Sequence, residues 1–322
     1  MQLRILTAAD IRSCLDMPGA IQAMRVAFTQ LSSGDAVVPD RLGVETEKGV
    51  SLFMPGYLPD GRHLAAKIVS VFPGNRERGL PAINAVVLVL DSETGLPRAL
   101  MDGTYLTALR TGAASGLATE VLALDDASVL AVFGAGPQAR TQIDAVRAVR
   151  PISEVRVFSL SAAESEALAQ EVEGVPVTVV DDPARALAGA QVIVTATDSR
   201  RPVFPGDLVE PGAHINSVGA FTPEMRELDG ALVSRATVIV DSRDTVMAEA
   251  GDLVQAIREG MFSLDRIHAE LGEVVSGARP GRTSSEAVTL FKSVGSAAQD
   301  VAAAGRILEA AEASGLGVSV EI

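Results

Sequence analysis

One short segment near the middle of the chain restricts the fold more than any other. The apolar, β-branched run 129–133 ends in Gly-Ala-Gly-Pro-Gln-Ala at residues 134–139, and helix-forming residues follow. Gly134 permits a tight strand-to-helix turn, Gly136 lets the backbone approach a pyrophosphate, and the small Ala139 lets helix pack on strand. The positive end of the helix can then hold the phosphates, whereas in a simple βα turn the glycines would serve only packing. The residues predicted to contact a dinucleotide here are Gly134, Ala135, Gly136, Pro137 and Gln138.

Composition and charge narrow the class of protein. The 322 residues are enough for two domains, and 48% hydrophobic with 21% charged residues is typical of globular chains. A net charge of −14 without a polybasic run disfavours nucleic acid and anionic membranes as partners. No apolar stretch approaches the roughly 20 residues of a membrane-spanning helix, and the first residues carry no signal core. One cysteine and three scattered histidines disfavour a disulfide and a metal site, so we expect a cytoplasmic protein without metal.

The first third of the chain favours a mostly antiparallel sheet with helices. Apolar residues at helical spacing predict a helix over 11–31, and Val- and Ile-rich runs predict strands over 64–72 and 82–90. Residues 91–95 are typical of a hairpin turn, and another helix is predicted over 105–124.

From residue 127 onward strands and helices alternate. The predicted strands are 129–133, 155–158, 177–180, 192–196, 214–218 and 238–240. This alternation predicts a parallel, doubly wound sheet, so the fold class is α/β with a Rossmann domain. After residue 251 the chain is predicted to be helical again, and we expect its alanine-rich helix over 296–313 to return to the first sheet.

Lys67 is unusual on the strand predicted over 64–72. With a period of two it shares a face with Val69 and Val71, and a lysine on an apolar face is costly to bury unless it meets an anion or loses its proton. The alternative is an edge strand whose lysine reaches water. Lys67 is thus a candidate site residue with a competing structural explanation.

Arg110 raises the same question on the helix predicted over 105–124. Its neighbours at helical spacing, such as Leu106 and Ala114, are apolar or small. A guanidinium in such surroundings needs a carboxylate or phosphate, and its fork suits a carboxylate. A structural ion pair with one of the chain's 41 acidic residues is the competing explanation.

The choice between NAD and NADP depends on the end of the strand over 155–158, about 20 residues after the glycines. An acidic residue there binds the ribose hydroxyls of NAD, and an arginine suits the 2′-phosphate of NADP. The chain has Ser159, Leu160 and Ser161, with neither charge. We expect these three residues to contact the cofactor, and the missing arginine favours NAD over NADP.

Several longer segments together resemble the ornithine cyclodeaminase/μ-crystallin family from end to end. They are residues 52–57, 66–69, 72–75, 106–115, 133–140, 270–274 and 291–295. The resemblance implies a homodimer in which residues 1–120 and 298–322 form an α+β substrate-binding and dimerisation domain. A Rossmann domain of residues 121–297 is inserted between them.

The resemblance also implies roles for individual residues. Arg41, which the pattern alone places in a loop, would bind the substrate carboxylate with Lys67 and Arg110, and the latter two would be catalytic. The nicotinamide would lie near residues 218–219 and 293–295. The further cofactor contacts are Thr111, Val218, Gly219, Ser293 and Gly295.

One departure from the family pattern separates its reactions. Ornithine cyclodeaminases and the archaeal alanine dehydrogenases of this family carry a catalytic aspartate two residues after a glycine, and here Phe221 follows Gly219. The word Gly-Ala-Phe-Thr-Pro, with Arg-Glu-Leu-Asp after it, is more similar to the ketimine reductases, which include μ-crystallin. Phe221 has no charge with which to bind the distal amine of a diamine substrate, so cyclodeamination is disfavoured.

The expected activity is NAD(P)H-dependent reduction of an α-imino acid, with Lys67, its pKa lowered by burial and neighbouring cations, as proton donor or positioning group. Candidate substrates are Δ1-pyrroline-2-carboxylate, Δ1-piperideine-2-carboxylate, iminosuccinate and iminopropionate. A dicarboxylate requires another cation, for which Arg62, His63 and Arg76 are candidates. The alternatives are an ornithine or lysine cyclodeaminase with tightly bound NAD, and a nucleotide-binding protein without activity.

Overall fold

The computed structural model describes residues 2–322, and the chain divides into two compact units. Its strands are β1 (Gln2–Leu6), β2 (Leu42–Thr46), β3 (Gly49–Leu58), β4 (His63–Val71), β5 (Ile83–Asp91), β6 (Pro97–Asp102), β7 (Val129–Phe133), β8 (Glu154–Phe158), β9 (Val177–Val179), β10 (Val192–Thr195), β11 (His214–Ser217), β12 (Thr237–Val240), β13 (Ile267–Glu270), β14 (Thr289–Lys292) and β15 (Val318–Glu321). Its helices are α1 (Ala8–Cys14), α2 (Met17–Ser33), α3 (Gly103–Leu122), α4 (Pro137–Val149), α5 (Ala162–Glu171), α6 (Pro183–Leu187), α7 (Gly230–Arg235), α8 (Arg243–Glu249), α9 (Gly251–Arg258), α10 (Leu271–Val275) and α11 (Ala297–Ser314).

Unit 1 is formed by two separate segments of the sequence, whereas unit 2 is a single continuous segment. Unit 1 contains the residues up to Arg110 together with Ser296–Ile322, and unit 2 is Thr111–Gly295. The predicted boundary at 120/121 lies within α3, and the one at 297/298 lies at the start of α11. None of the helices among residues 2–322 is long and apolar enough to cross a bilayer.

Unit 1 is built on a seven-stranded sheet in the order β15-β1-β6-β5-β4-β3-β2. Only β1 and β6 pair in parallel, so the predicted, mostly antiparallel sheet is confirmed. The hairpin turn after β5 is also confirmed, because Gly95 N donates to Asp91 O at 2.8 Å. β4 lies between β3 and β5, which rules out the edge-strand explanation for Lys67.

The C-terminal helix α11 packs over β3, β4 and β5 of this sheet, as expected. Its approach to β3 is close: a Cβ on Gly56 would lie 3.1 Å from Val301 and 3.4 Å from Ala297. The first turn of α11 therefore lies directly over the sheet that carries Lys67.

The single helix predicted over 11–31 is wrong, because the chain forms α1 and α2 with a break at Leu15 and Asp16. Pro18 explains the break, since in a continuous helix its ring would clash with the carbonyl of Cys14. Asp16 then starts α2 as its N-cap and accepts a hydrogen bond from Gly19 N at 2.9 Å.

Unit 2 contains an eight-stranded, wholly parallel sheet in the order β13-β12-β14-β11-β10-β7-β8-β9. The chain runs outward from β7 to β9 and then returns to β10, so the strand order reverses beside β7, as in a Rossmann fold. The prediction that the chain is only helical after residue 251 is wrong. β13 and β14 both lie there, and β14 is an interior strand.

Alternate residues of β7 pack into separate apolar cores on the two faces of this sheet. Ala131 and Phe133 belong to one core, and Leu130 and Val132 belong to the other. A strand covered on both faces is apolar throughout, which explains why β7 is a continuous hydrophobic run. The cores position the glycine-rich turn that follows Phe133.

Candidate active site

The turn after β7 has the geometry that a dinucleotide requires. Gly134 has φ +101°, and a Cβ there would lie 2.5 Å from the carbonyl oxygen of Ala196, so no other residue fits. Gly136 is the N-cap of α4 without a side-chain hydrogen bond, and its Cβ would point into open space. Ala139 is fully buried in the core. The start of α4 is therefore open to a pyrophosphate.

Beyond this turn, a cavity of about 460 Å³ lies at the carboxyl ends of β8 and β9. It is lined by Phe158, Ser159, Leu160, Ala162, Val179, Val180, Asp181 and Arg185. Its apolar wall suits an adenine ring, and Leu160 is fully exposed. Ser161 caps α5 by accepting a hydrogen bond from Glu164 N. Arg185 pairs with Asp181 at 2.8 Å, so the lining contains one charge of each sign.

The loop after β11 is held by a buried carboxylate that the sequence analysis did not single out. Glu227 accepts hydrogen bonds from Gly219 N at 2.8 Å, Ala220 N at 3.2 Å and Thr197 N at 2.7 Å. Burial raises the pKa of Glu227, although the charge of Lys292 opposes the shift. Glu227 thereby fixes the backbone of a predicted nicotinamide-binding loop.

A second buried carboxylate holds the loop after β14, which is the neighbour of β11. Asp241 accepts hydrogen bonds from Ser293 Oγ, Val294 N and Gly295 N, each at 2.8 Å. An acidic residue that directly follows an apolar strand of a parallel sheet was the signal that could have found it, because such residues lie where ligands bind.

A buried ion pair connects helix α9 to the carboxyl ends of β11 and β14. Lys292 Nζ lies 2.8 Å from Asp252 Oδ2, and both side chains are fully buried. Ser217 Oγ donates to Asp252 at 3.1 Å. Asp252 also accepts hydrogen bonds from the backbone of Glu227 and Leu228, so it ties the two strand ends together.

Three further residues of unit 2 were singled out from the sequence, and the structure places them as follows. Phe221 is partly buried and packs against the apolar core. Thr111 O accepts a hydrogen bond from Gln142 Nε2 at 3.3 Å, which links α3 to α4. Gln138 lies in the first turn of α4.

In unit 1, Lys67 and Arg110 meet at one buried carboxylate. Lys67 Nζ lies 2.7 Å from Asp300 Oδ2, and Arg110 Nε donates to Asp300 Oδ1 at 2.9 Å. Arg110 Nη1 donates to Gln299 Oε1 at 2.6 Å. The structural ion pair considered for Arg110 therefore exists, and it is shared with Lys67. We call these four residues the cation cluster.

Burial and neighbouring charges shift the pKa values of Lys67 and Asp300 in the cation cluster. Burial lowers the pKa of Lys67 to about 8; the carboxylate of Asp300 opposes this shift, whereas Arg110 and Arg41 strengthen it. Burial alone would raise the pKa of Asp300, but the two cations outweigh it and hold that pKa below its usual value. Arg41, which is half-buried, thus acts electrostatically on Lys67.

Two of the three cations considered for a second carboxylate, Arg62 and His63, have partners outside the cation cluster. Arg62 pairs with Glu93 at the surface. His63 Nε2 lies 3.6 Å from Glu309 and packs against Gly305. The side chain of Arg76 lies outside what the structure describes.

The sequence analysis missed Asp300 and Gln299. Both lie in the alanine-rich stretch that forms α11, where one acidic residue is unremarkable for a helix. Asp300 is 190 residues from Arg110 along the chain, and no local pattern relates positions so distant.

Comparisons with known proteins agree with this architecture. The model of the ornithine cyclodeaminase/mu-crystallin family matches residues 1–315. A Δ1-pyrroline-2-carboxylate reductase of Bacillus cereus is 37% identical, and the match covers 98% of this chain and 99% of the relative.

Two solved structures are similar over their full length. The Δ1-pyrroline-2-carboxylate reductase of Thermococcus litoralis, in complex with NADH and L-proline, is 39% identical with a TM-score of 0.96, covering 99% of this chain and 100% of that one. An archaeal alanine dehydrogenase dimer with bound NAD is 35% identical with a TM-score of 0.94, covering 100% of both chains. This chain belongs to the ornithine cyclodeaminase/mu-crystallin family.

Proposed function

We propose that this protein is an NADH-dependent reductase that converts an α-imino acid into the corresponding L-amino acid. The observation that carries the proposal is the cation cluster, in which two buried cations, Lys67 and Arg110, share the single carboxylate of Asp300. A relative of known structure binds NADH and L-proline. Here Gly134, Gly136 and the open start of α4 fit the same kind of cofactor.

The charge of the cation cluster suits a substrate with one carboxylate. Lys67, Arg110 and Asp300 together carry one positive charge when all are ionised, and Arg41 adds another nearby. Buried excess charge is costly unless an ion of opposite sign joins it. The contacts to Asp300 and Gln299 use Nε and Nη1 of Arg110, and Nη2 takes part in neither. A substrate carboxylate would therefore complete the cluster.

Lys67 also provides the proton for the reaction. The nicotinamide, when bound, supplies a hydride to the imine carbon, and the nitrogen must gain one proton for the C=N bond to become CH–NH. A lysine whose pKa is about 8 is protonated near neutral pH and releases its proton more readily than an exposed lysine. Arg110 and Arg41 hold the carboxylate, which fixes the orientation of the imine.

A cyclic imine with a single carboxylate fits the chain better than a dicarboxylate. Arg62 and His63 are engaged elsewhere, so neither offers a partner for a second carboxylate. Phe221, in the place of the acid used by cyclodeaminases, offers no charge to a distal amine. We therefore propose Δ1-pyrroline-2-carboxylate or Δ1-piperideine-2-carboxylate as substrate, with NAD(H) preferred to NADP(H). The reaction would take place in the cytoplasm, where the nicotinamide pool is available.

We further propose that the enzyme is a homodimer formed through the open face of the unit 1 sheet. Leu42, Phe53, Ile68 and Val86 face one another across β2, β3, β4 and β5, and are 66%, 39%, 37% and 41% exposed. Lys67 faces α11, so the neighbouring Ile68 points to the opposite side. An aligned apolar row of this kind is typical of a contact surface, and a similar family member is a dimer.

The decisive experiment follows NADH oxidation, and then NADPH oxidation, with the two cyclic imines and with pyruvate, glyoxylate or oxaloacetate plus ammonium. A parallel assay measures ammonia release from ornithine and lysine. We expect NADH consumption with a cyclic imine. Ammonia release from a diamine without reductant, together with no imine reduction, would contradict the proposal.

A matched pair of arginine variants tests the assignment of the site. Arg110→Lys keeps the charge but loses the planar fork, so kcat/KM for the imine should fall about 100-fold while the Kd for NADH stays within about twofold. Arg98→Lys, at the surface of the same unit, should change neither. Equal activity of the two variants would exclude Arg110 from the substrate site.

A further inference from the structure

Gln299 lies beside Asp300 in the first turn of α11 and is fully buried. Its Oε1 accepts a hydrogen bond from Arg110 Nη1 at 2.6 Å. A guanidinium can only donate, so this contact determines which end of the amide faces Arg110. The NH2 group of Gln299 must therefore point away from Arg110.

That NH2 group is a buried hydrogen-bond donor without an acceptor in the described part of the chain. Gln299 Nε2 is inaccessible to solvent and has no hydrogen-bond partner among residues 2–322. Buried donors in folded proteins are almost always paired, and an exception calls for an explanation such as a bound ligand. Turning the amide over would not help, because it would set two donors against each other.

The surroundings indicate what kind of acceptor is missing. Arg110 and Lys67 lie in the same cluster. Gln299 also lies in the first turn of the 18-residue helix α11, where the helix dipole has its positive end. A neutral acceptor would gain little from this positive environment, whereas an anion gains from each contribution. The structure offers no second anion here among the groups that shift the pKa of Lys67, which are Asp300, Arg110 and Arg41.

We propose that Gln299 is a substrate-binding residue whose Nε2 donates a hydrogen bond to the substrate carboxylate beside Arg110. The inference rests on the proposed function and adds a neutral, directional donor to the cationic contacts. Gln299 would then have two roles: its oxygen orients Arg110, and its nitrogen binds the carboxylate.

Two substitutions test whether the Nε2 donor is needed for binding. Gln299→Glu keeps an oxygen for Arg110 but removes the donor, and Gln299→Met removes both while keeping the shape. The probe is pyrrole-2-carboxylate, a planar ring carboxylate of the size of Δ1-pyrroline-2-carboxylate, titrated calorimetrically against the NAD-loaded protein. Gln30→Glu is the control, because it places the same charge at another buried glutamine of unit 1.

Loss of a hydrogen bond to a charged group predicts that both Gln299 variants bind the probe about 10- to 100-fold more weakly. KM for the imine should rise in parallel, with NADH affinity and melting temperature near wild type. Gln30→Glu should bind the probe within about threefold of wild type.

A Gln299→Glu variant with the affinity of wild type would overturn the inference, because it would show that only the oxygen matters. The substrate panel tests the wider function separately. Wild-type protein that binds the probe through Gln299 but reduces no imine would support the inference and contradict the proposed reaction. Wild-type protein that binds no probe would overturn both.

Discussion

Asp300 divides its two oxygens between two buried cations, with Oδ2 at 2.7 Å from Lys67 Nζ and Oδ1 at 2.9 Å from Arg110 Nε. This sharing lets a β-strand lysine and a helix arginine remain ionised where water is excluded. Because each cation has only part of a counter-charge, the group as a whole retains affinity for another anion. Asp300 thus compensates two buried charges in part, and in the proposed function a substrate carboxylate completes the compensation.

Replacing Asp300 by Asn should affect both stability and the pH profile. Removing one partner of a buried ion pair costs about 3–5 kcal/mol of unfolding free energy. The carboxylate raises the pKa of Lys67, so its loss lowers that pKa further. In the proposed mechanism the protonated lysine is the donor, so kcat/KM should fall as pH rises through about 8 in wild type, and this alkaline limb should move to lower pH in the variant.

The check is kcat/KM measured from about pH 6 to about pH 9.5. Asp252→Asn is the matched control, because it breaks a buried lysine–aspartate pair in unit 2 with a similar distance, 2.8 Å against 2.7 Å. It should lose stability without shifting the alkaline limb. A limb that stays in place in the Asp300 variant would exclude Lys67 as the proton donor.

His214 offers a second prediction at this scale. It is fully buried between Thr289 and Asn216, and burial, assisted by Arg282, lowers its pKa to about 3. The folded chain keeps the ring neutral, while the unfolded chain binds a proton below about pH 6.5, so the stability from this site is present above that pH and lost progressively toward pH 3. Between pH 7 and pH 5 the loss should be about 2 kcal/mol.

Urea unfolding at both pH values, compared between wild type and His214→Asn, measures this contribution. The variant should be less stable at pH 7 but lose about 2 kcal/mol less on acidification. An identical pH dependence in the two proteins would mean that other groups control the acid sensitivity.

At the scale of elements, the β7–α4 turn distinguishes a glycine needed for folding from one needed for binding. Gly134 combines φ +101° with a Cβ position 2.5 Å from Ala196 O. Gly136 has ordinary backbone angles and open space around its Cβ. The fold therefore requires a glycine at position 134, whereas at position 136 a glycine is needed only to leave room for a bound cofactor.

The two alanine substitutions should behave differently for this reason. Gly134→Ala should destabilise unit 2 by about 2–4 kcal/mol, because both strain and a clash result. Gly136→Ala should melt near the wild-type temperature yet bind NADH at least about 10-fold more weakly, because its methyl group occupies the space of the pyrophosphate. Thermal melting and NADH titration by fluorescence test this, and tight NADH binding by Gly136→Ala would place the pyrophosphate elsewhere.

At the scale of the whole molecule, the unit 1 sheet buries one face under α11 and leaves an apolar row on the other. A row that crosses four strands is a large exposed surface for a chain that functions alone. Association of two copies through this face would remove it from water. The unit that holds the proposed substrate site would then also determine the oligomeric state.

A charge in the middle of the row tests this arrangement. Phe53→Lys should convert the proposed dimer to a monomer in sedimentation velocity, because an unpaired charge in an apolar interface is strongly unfavourable. Leu264→Lys, at an exposed leucine of unit 2, should leave the dimer intact. A dimer that persists in the Phe53 variant would assign the interface to another surface.

Much of the fold can be predicted from local sequence patterns, and the elements that were predicted wrongly have physical explanations. β7 is recognisable because it is apolar throughout and is followed by Gly134, whereas the short strands β13 and β14 each end in a charged residue and lie among helical segments. Such short strands form because neighbours in the sheet complete their hydrogen bonds, and that information is absent from the segment itself. The break at Leu15 could have been anticipated from Pro18.

Local sequence is enough to recognise the βα turn at Gly134 and Gly136, the alternation that produces a parallel sheet, and Lys67 and Arg110 as candidates, because each depends on residues close together in the chain. Only the tertiary structure decided that β4 is an interior strand, that Asp300 joins the two cations, and that Gln299 Nε2 faces no acceptor in the described chain. Burial and ion pairing depend on which distant segments meet. Here a carboxylate 190 residues away from Arg110 turns two ambiguous cations into one site.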